Sequence, residues 1–241
     1  MGTIAVDESP EGALARLRDL PAYGDTDFVS RVTTAEPYPW EGQAPDDSPG
    51  GTGYNILVSD SGLKYNILRL LASRGCRVTA CPASATAREL LARQPDGVLL
   101  SPGPGDPELL DYLVETARGL VGEFPIMGIC LGNQILARAF GGRTYKLKFG
   151  HRGGNHPVRD VATGLIHITA QNHGYAVDAD SLPSEVEISH VNLNDGTVEG
   201  LRHRSLPIMG IQFHSEASPG PRDNEYLFDR FLGMARDHRG E

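Results

Sequence analysis

The sequence lacks the features that would place it in a membrane, in a disulfide scaffold or on a nucleic acid. No apolar run in its 241 residues approaches the roughly 20 needed to span a bilayer. The opening "MGTIAVDESPEG" has no basic stretch followed by an apolar one, so no signal peptide is expected. Val6 stands where a myristoylation signal requires Ser or Thr. Three cysteines, Cys76, Cys81 and Cys130, are odd in number and form no C-x-x-C pair, which argues for free thiols in a reducing cytoplasm. Basic residues are outnumbered, 22 Lys and Arg against 31 Asp and Glu, and the net charge of −9 argues against nucleic acid or an anionic membrane as the main partner. There is no internal repeat, no low-complexity tract and no G-x-x-x-x-G-K-[ST] phosphate loop, so ATP chemistry is expected on another chain.

What is present is a regular alternation. Residues 8–20 carry Leu14, Leu17 and Leu20 at helical spacing. "AEPYPWEGQAPDDSPGGTG", 35–53, is crowded with Pro, Gly and Asp and reads as a linker, dividing the chain into 1–53 and a domain over 54–241. From Tyr54 onward short apolar strands ("YNILVSD", "CRVTACP", "GVLLSPG", "PIMGI") alternate with helices, the pattern of an α/β fold with a mostly parallel sheet flanked by helices. After about residue 142 strands follow one another directly: "RTYKLKF", "LIHITAQ", "YAVD", "EVEISHV", "TVEGLRH" and "PIMGIQFH". These predict additional, partly antiparallel strands, closed by a helix at "NEYLFDRFLGMARDH".

Within "PIMGICLGNQILARAF" a single cysteine lies between two glycines where a strand gives way to a helix. Glycine weakens a strand interior, so Gly128 and Gly132 need another reason to be there. A sharp strand-to-helix turn supplies it, as in the G-x-S-x-G nucleophile elbow, and lifts Cys130 clear of the sheet at the strand ends where α/β folds bind ligands. The helix N-terminus then favours thiolate. A buried structural cysteine is the ordinary alternative, and Cys76 and Cys81 keep that reading. "IQFHSEASPGP" supplies a base, His214, at the end of an apolar strand, with Glu216 two residues on; in extended chain both side chains share a face. His-x-Glu can also be a surface pair or metal ligands, but no third ligand spacing supports a metal, and none is expected. In "SPGPGDP" the prolines have no N–H, which leaves Gly103, Gly105 and Asp106 as backbone donors. Paired with the Leu131 N–H, that loop can form an oxyanion hole.

Together "GICLGNQ", "SPGPGDP" and "HSE" resemble the triad (class I) glutamine amidotransferases. "YKLKFGHRGGNHPV", "TAQNHGYAVD", "NDGTVEG" and "EASPGP" are similar to the glutaminase domain of the carbamoyl-phosphate synthetase small subunit, and the resemblance covers roughly 28–236. It implies a flavodoxin-like fold and hydrolysis of L-glutamine through a γ-glutamyl thioester on Cys130, with His214 as base then acid and Glu216 orienting it. It implies an oxyanion hole at Gly103 and Leu131, and a substrate site at Gly105, Gln134, Asn172, Gly174 and Tyr175. No cofactor is implied, and the expected partner is a synthetase large subunit that takes the ammonia. The family's small subunit carries a further N-terminal domain that lends a serine to the glutamine site. "ALARLRDL" through "RVTTAEPYPW" resembles the end of that domain and its linker. Ser215 replaces a usual proline, Asn133 a frequent histidine and Ser61 a usual aromatic. Two other readings remain open: an amidotransferase component for another biosynthetic synthetase, and a non-catalytic docking or regulatory relative.

Overall fold

The computed structural model describes residues 2–21, 23–41 and 53–241. Most of the expected linker, residues 42–52, lies outside them. Helix α1 (Pro10–Arg18) is capped by the Ser9 hydroxyl, which accepts from the Gly12 N–H at 3.1 Å. Helix α2 (Val29–Val32) and strand β1 (Tyr38–Pro39) follow. This stretch is packed onto the sheet. Val29 is fully buried, the Thr33 hydroxyl accepts from the Ala83 N–H at 2.8 Å, and Trp40 stacks on Tyr65 at 5.5 Å.

The core alternates as predicted: β2 (Asn55–Asp60), α3 (Tyr65–Ala72), β3 (Arg77–Pro82), α4 (Ala87–Leu91), β4 (Gly97–Leu100), α5 (Asp111–Leu120), β5 (Ile126–Ile129) and α6 (Leu131–Ala139). Strands β2, β4 and β5 are buried nearly throughout because helices cover both faces. Successive side chains leave a strand on opposite sides. Leu57, Val98, Leu100 and Ile126 therefore meet Leu113, Val114, Ile135 and Leu136, while Ile56, Val58, Leu99 and Met127 meet Ile67, Leu68, Phe228 and Phe231.

The second half adds β6 (Thr144–Asp160), β7 (Ile166–Val177), β8 (Val186–Asn192), β9 (Val198–His203), β10 (Ile208–Ile211) and α7 (Tyr226–Arg239). All ten strands form one sheet, ordered β1-β3-β2-β4-β5-β10-β9-β8-β6-β7. β3, β2, β4, β5 and β10 run parallel, and β1, β9, β8, β6 and β7 join by antiparallel pairings. The expected α/β sheet with added antiparallel strands is thus observed, with two corrections in its second half. "LIHITAQ" and "YAVD" are one strand, because Asn172 and His173 pair with Arg152 and His151 of β6 instead of turning. The strand expected to run to His214 stops at Ile211, where its pairing with β9 ends at Gly200.

Candidate active site

β5 and β10 are parallel neighbours with Gly128 opposite Gly210, and the Cys130 N–H donates to the Ile211 carbonyl at 2.7 Å. The chain then turns abruptly. Cys130 adopts φ 54°, ψ −103°, a region in which a residue bearing a side chain carries strain of about 1–3 kcal/mol. The surrounding glycines explain how it is held there. A Cβ on Gly128 would come within 2.5 Å of the Gly132 backbone, one on Gly132 would overlap the Leu100 carbonyl, and one on Gly210 would overlap the Asn133 side-chain oxygen. Three missing side chains let α6 begin directly on β4, β5 and β10. Cys130 sits at its N-terminus, 4% exposed.

His214 leaves the end of the neighbouring strand β10 and interacts with the Cys130 sulfur. Its Nδ1 lies 2.7 Å from Glu216 Oε1, so the carboxylate accepts the imidazole N–H. The pairing arises differently from the extended-chain expectation. Residues 214–216 turn instead, with the Ser215 N–H donating to the Phe213 carbonyl and the Ala217 N–H to the His214 carbonyl. Burial alone would lower the His214 pKa, but the sulfur of Cys130 and then the carboxylate of Glu216 outweigh it and push it up to about 10. Burial works against the Glu216 charge too, yet His214 and the Lys64 ammonium hold its pKa below the usual glutamate value. Lys64 Nζ is 3.1 Å from Glu216 Oε1 and also donates to the Ala217 carbonyl. It is a functional candidate that the sequence did not reveal.

A cavity of about 570 Å³ opens over the sulfur. Of the predicted residues, Cys130, His214, Gly103, Gly105, Gln134, Asn172, Gly174 and Tyr175 line it. Glu216 is fully buried behind His214. The Leu131 side chain lies against Gly103, and the N–H of Leu131 opens α6 next to Cys130. Gln134 is fixed by donating from Nε2 to the Tyr175 carbonyl at 2.9 Å and to Gln212 Oε1 at 3.1 Å. Burial, and then a hydrogen bond to Asp106, raise the Tyr175 pKa, so its hydroxyl keeps its proton. Tyr23, which stacks on Phe28 and accepts from the Gly105 N–H at 3.3 Å, also lines the cavity, as do Lys146 and Arg152 of β6. No local pattern in the sequence marks these three.

The profile of the family described as Glutamine amidotransferase class-I matches residues 57–234. The chain belongs to the class-I glutamine amidotransferases. Two curated relatives of this amidotransferase chain bear the name carbamoyl phosphate synthase small chain. One, from Symbiobacterium thermophilum, is 53% identical over 232 residues, covering 92% of this chain and 64% of the relative. The other, from Syntrophotalea carbinolica, is 48% identical over 242 residues, covering 98% and 64%. The chain therefore spans just under two thirds of the length of these relatives. Among solved structures, a Thermoplasma acidophilum protein provisionally described as a component of GMP synthase superposes with TM-score 0.68 at 24% identity, over 78% of this chain and 96% of that one. A glutamine amidotransferase from Thermotoga maritima gives 0.56 at 18% identity, over 77% and 84%. At those identities the likeness is one of fold. Among the described residues of the amidotransferase chain, no helix is long and apolar enough to cross a membrane.

Proposed function

We propose that the chain hydrolyses L-glutamine to glutamate and ammonia, with Cys130, His214 and Glu216 as the catalytic triad. The observation that carries this reading is Cys130 held at positive φ on a helix N-terminus, facing a histidine whose far nitrogen is 2.7 Å from a buried carboxylate. The thiolate attacks the γ-carboxamide carbon, and the oxyanion forms against the N–H groups of Gly103 and Leu131. The His214 imidazolium gives its proton to the departing ammonia, leaving a γ-glutamyl thioester on Cys130. His214, now neutral, takes a proton from water as the water attacks the thioester, and glutamate leaves. Gly105, Gln134, Asn172, Gly174 and Tyr175 hold the substrate. Lys64 keeps Glu216 charged, so that Glu216 orients the ring without exchanging protons.

The relatives' name supports a synthetase large subunit as the acceptor of the ammonia. In this reading residues 54–241 are the glutaminase unit, and 1–53 are the end of a preceding domain and its linker. The test is steady-state release of glutamate by the purified chain, first alone and then in the presence of a carbamoyl-phosphate synthetase large subunit. His214→Asn is expected to slow turnover about 10²–10⁴-fold and Cys130→Ser to abolish it. Near-native hydrolysis by the serine variant would overturn the assignment.

A further inference from the structure

The stretches "GHRGGNHPV", "TAQNHG" and "NDGTVEG" lie far apart in sequence, yet they meet in one polar cluster beside the cavity, whose wall His173 joins. His151 comes from β6, Gln171 and His173 from β7, Asn192 from the end of β8, Asp195 from the turn after it and Glu199 from β9. Each member with a ligating atom already has a second partner that orients it. His173 Nδ1 lies 2.8 Å from the Tyr175 carbonyl; a carbonyl only accepts, so Nδ1 carries the proton and Nε2 keeps its lone pair. That Nε2 is buried and has no hydrogen-bond partner among the described residues, in a side chain only 5% exposed. His151 Nε2 lies 2.8 Å from Asp195 Oδ2, which leaves Nδ1 turned to Glu199 Oε1 at 3.3 Å. Glu199 is fully buried and accepts from Asn192 Nδ2 at 2.8 Å and Gln171 Nε2 at 2.9 Å.

Imidazoles whose other nitrogen donates to a carboxylate or a backbone carbonyl, beside a carboxylate that is itself hydrogen-bonded, are the arrangement by which proteins orient metal ligands. The ligating atoms of His151, His173 and Glu199 all lie within 4.8 Å of one another. Zinc held by such ligands at about 2.0–2.1 Å sets them roughly 3.4 Å apart, close to the His151–Glu199 separation, so binding draws His173 in from no more than 4.8 Å.

We infer that His151, His173 and Glu199 bind one divalent transition-metal ion, Zn²⁺ or an ion of similar ligand preference. Two imidazoles and one carboxylate suit Zn²⁺ and Co²⁺ over Mg²⁺ or Ca²⁺. Three protein ligands hold the ion, and water fills its fourth position. The ion ties β6, β7 and β9 together next to Asn172 and Gly174, which face the cavity, and it takes no part in chemistry at Cys130. The competing occupant of the space between His151 and Glu199 is a proton on His151.

The experiment uses the full chain, stripped with chelator and with Cys130 alkylated so that its sulfur cannot ligate. Titration with Co²⁺ should give the intense visible bands of a low-coordinate ion, saturating at one ion per chain and displaced by Zn²⁺, and Zn²⁺ should raise the thermal midpoint. Glu199→Gln and His173→Asn should each weaken binding by at least 10–100-fold. Asp195→Asn, at a side chain 42% exposed whose bonds from Thr197 an asparagine oxygen can still accept, should weaken it by about 10–100-fold. Should Glu199→Gln fail to fold, Asp195→Asn decides. Absence of Co²⁺ bands in the alkylated wild type, or binding unchanged by these substitutions, overturns the inference and leaves the cluster to a protonated His151.

Discussion

Replacing Glu216 by glutamine removes one charge and almost no volume from the most enclosed part of the site. The carboxylate is fully buried, accepts from His214 at 2.7 Å and is 3.1 Å from Lys64 Nζ. A hydrogen bond to a charged group contributes about 1.5–3 kcal/mol. At about 1.4 kcal/mol per pKa unit, its loss should lower the His214 pKa by about 1–2 units. If the same energy is lost from the transition state, turnover falls about 10–150-fold, less than for loss of the imidazole itself. Lys64, 31% exposed at its side chain, can turn to water, so the structural penalty stays below the roughly 3–5 kcal/mol of a broken, fully buried pair. The assay is titration of ¹⁵N-labelled His214 by NMR in both proteins, alongside kcat/KM. Lys64→Met should lower activity in the wild type but add little in Glu216→Gln, because the two act through one charge. An unmoved His214 titration, or additive losses in the double variant, would refute the reasoning.

Three further outcomes follow from the geometry. Cys130→Gly should be about 1 kcal/mol more stable than Cys130→Ala in chemical denaturation, because glycine relieves the strain at φ 54°; equal stabilities would deny the strain. Gly132→Ala should cost about 1–3 kcal/mol and slow labelling of Cys130 by a glutamine-analogue electrophile, since its methyl overlaps the Leu100 carbonyl; a fully reactive, stable variant would contradict this. The depressed Glu216 pKa means the native state binds fewer protons than the unfolded chain below the unfolded value near 4.5. Its stabilisation is present above that pH and lost as pH falls through the lower folded value, so Glu216→Gln should show a shallower acid limb in stability against pH.

The elbow was legible because its reason is local: Gly128 and Gly132 flank Cys130 at a change from strand to helix, and their missing side chains meet backbone within a few residues or in the adjacent strand. The parallel strands were legible because burial on both faces leaves continuous apolar runs. Asn172-His173-Gly174 was open to a turn reading, since these residue types favour turns; pairing of Asn172 and His173 with Arg152 and His151 of the long β6 overrides that preference. Lys64 carried no signal at all, because its partners, Glu216 and Ala217, are about 150 positions away. Tyr23 was missed for the same reason, as only the folded chain brings it to Gly105. The convergence of His151, His173 and Glu199 likewise depends on the order β9-β8-β6-β7, which strand spacing does not determine.

The measurement that bears most directly on the central claim is mass spectrometry of the chain quenched with acid during turnover of L-glutamine. A γ-glutamyl adduct on the peptide containing Cys130, absent from Cys130→Ser and formed more slowly in His214→Asn, is the predicted result. Hydrolysis of glutamine with no adduct on Cys130 at any quench time, or an adduct on Cys76 or Cys81 instead, would contradict it.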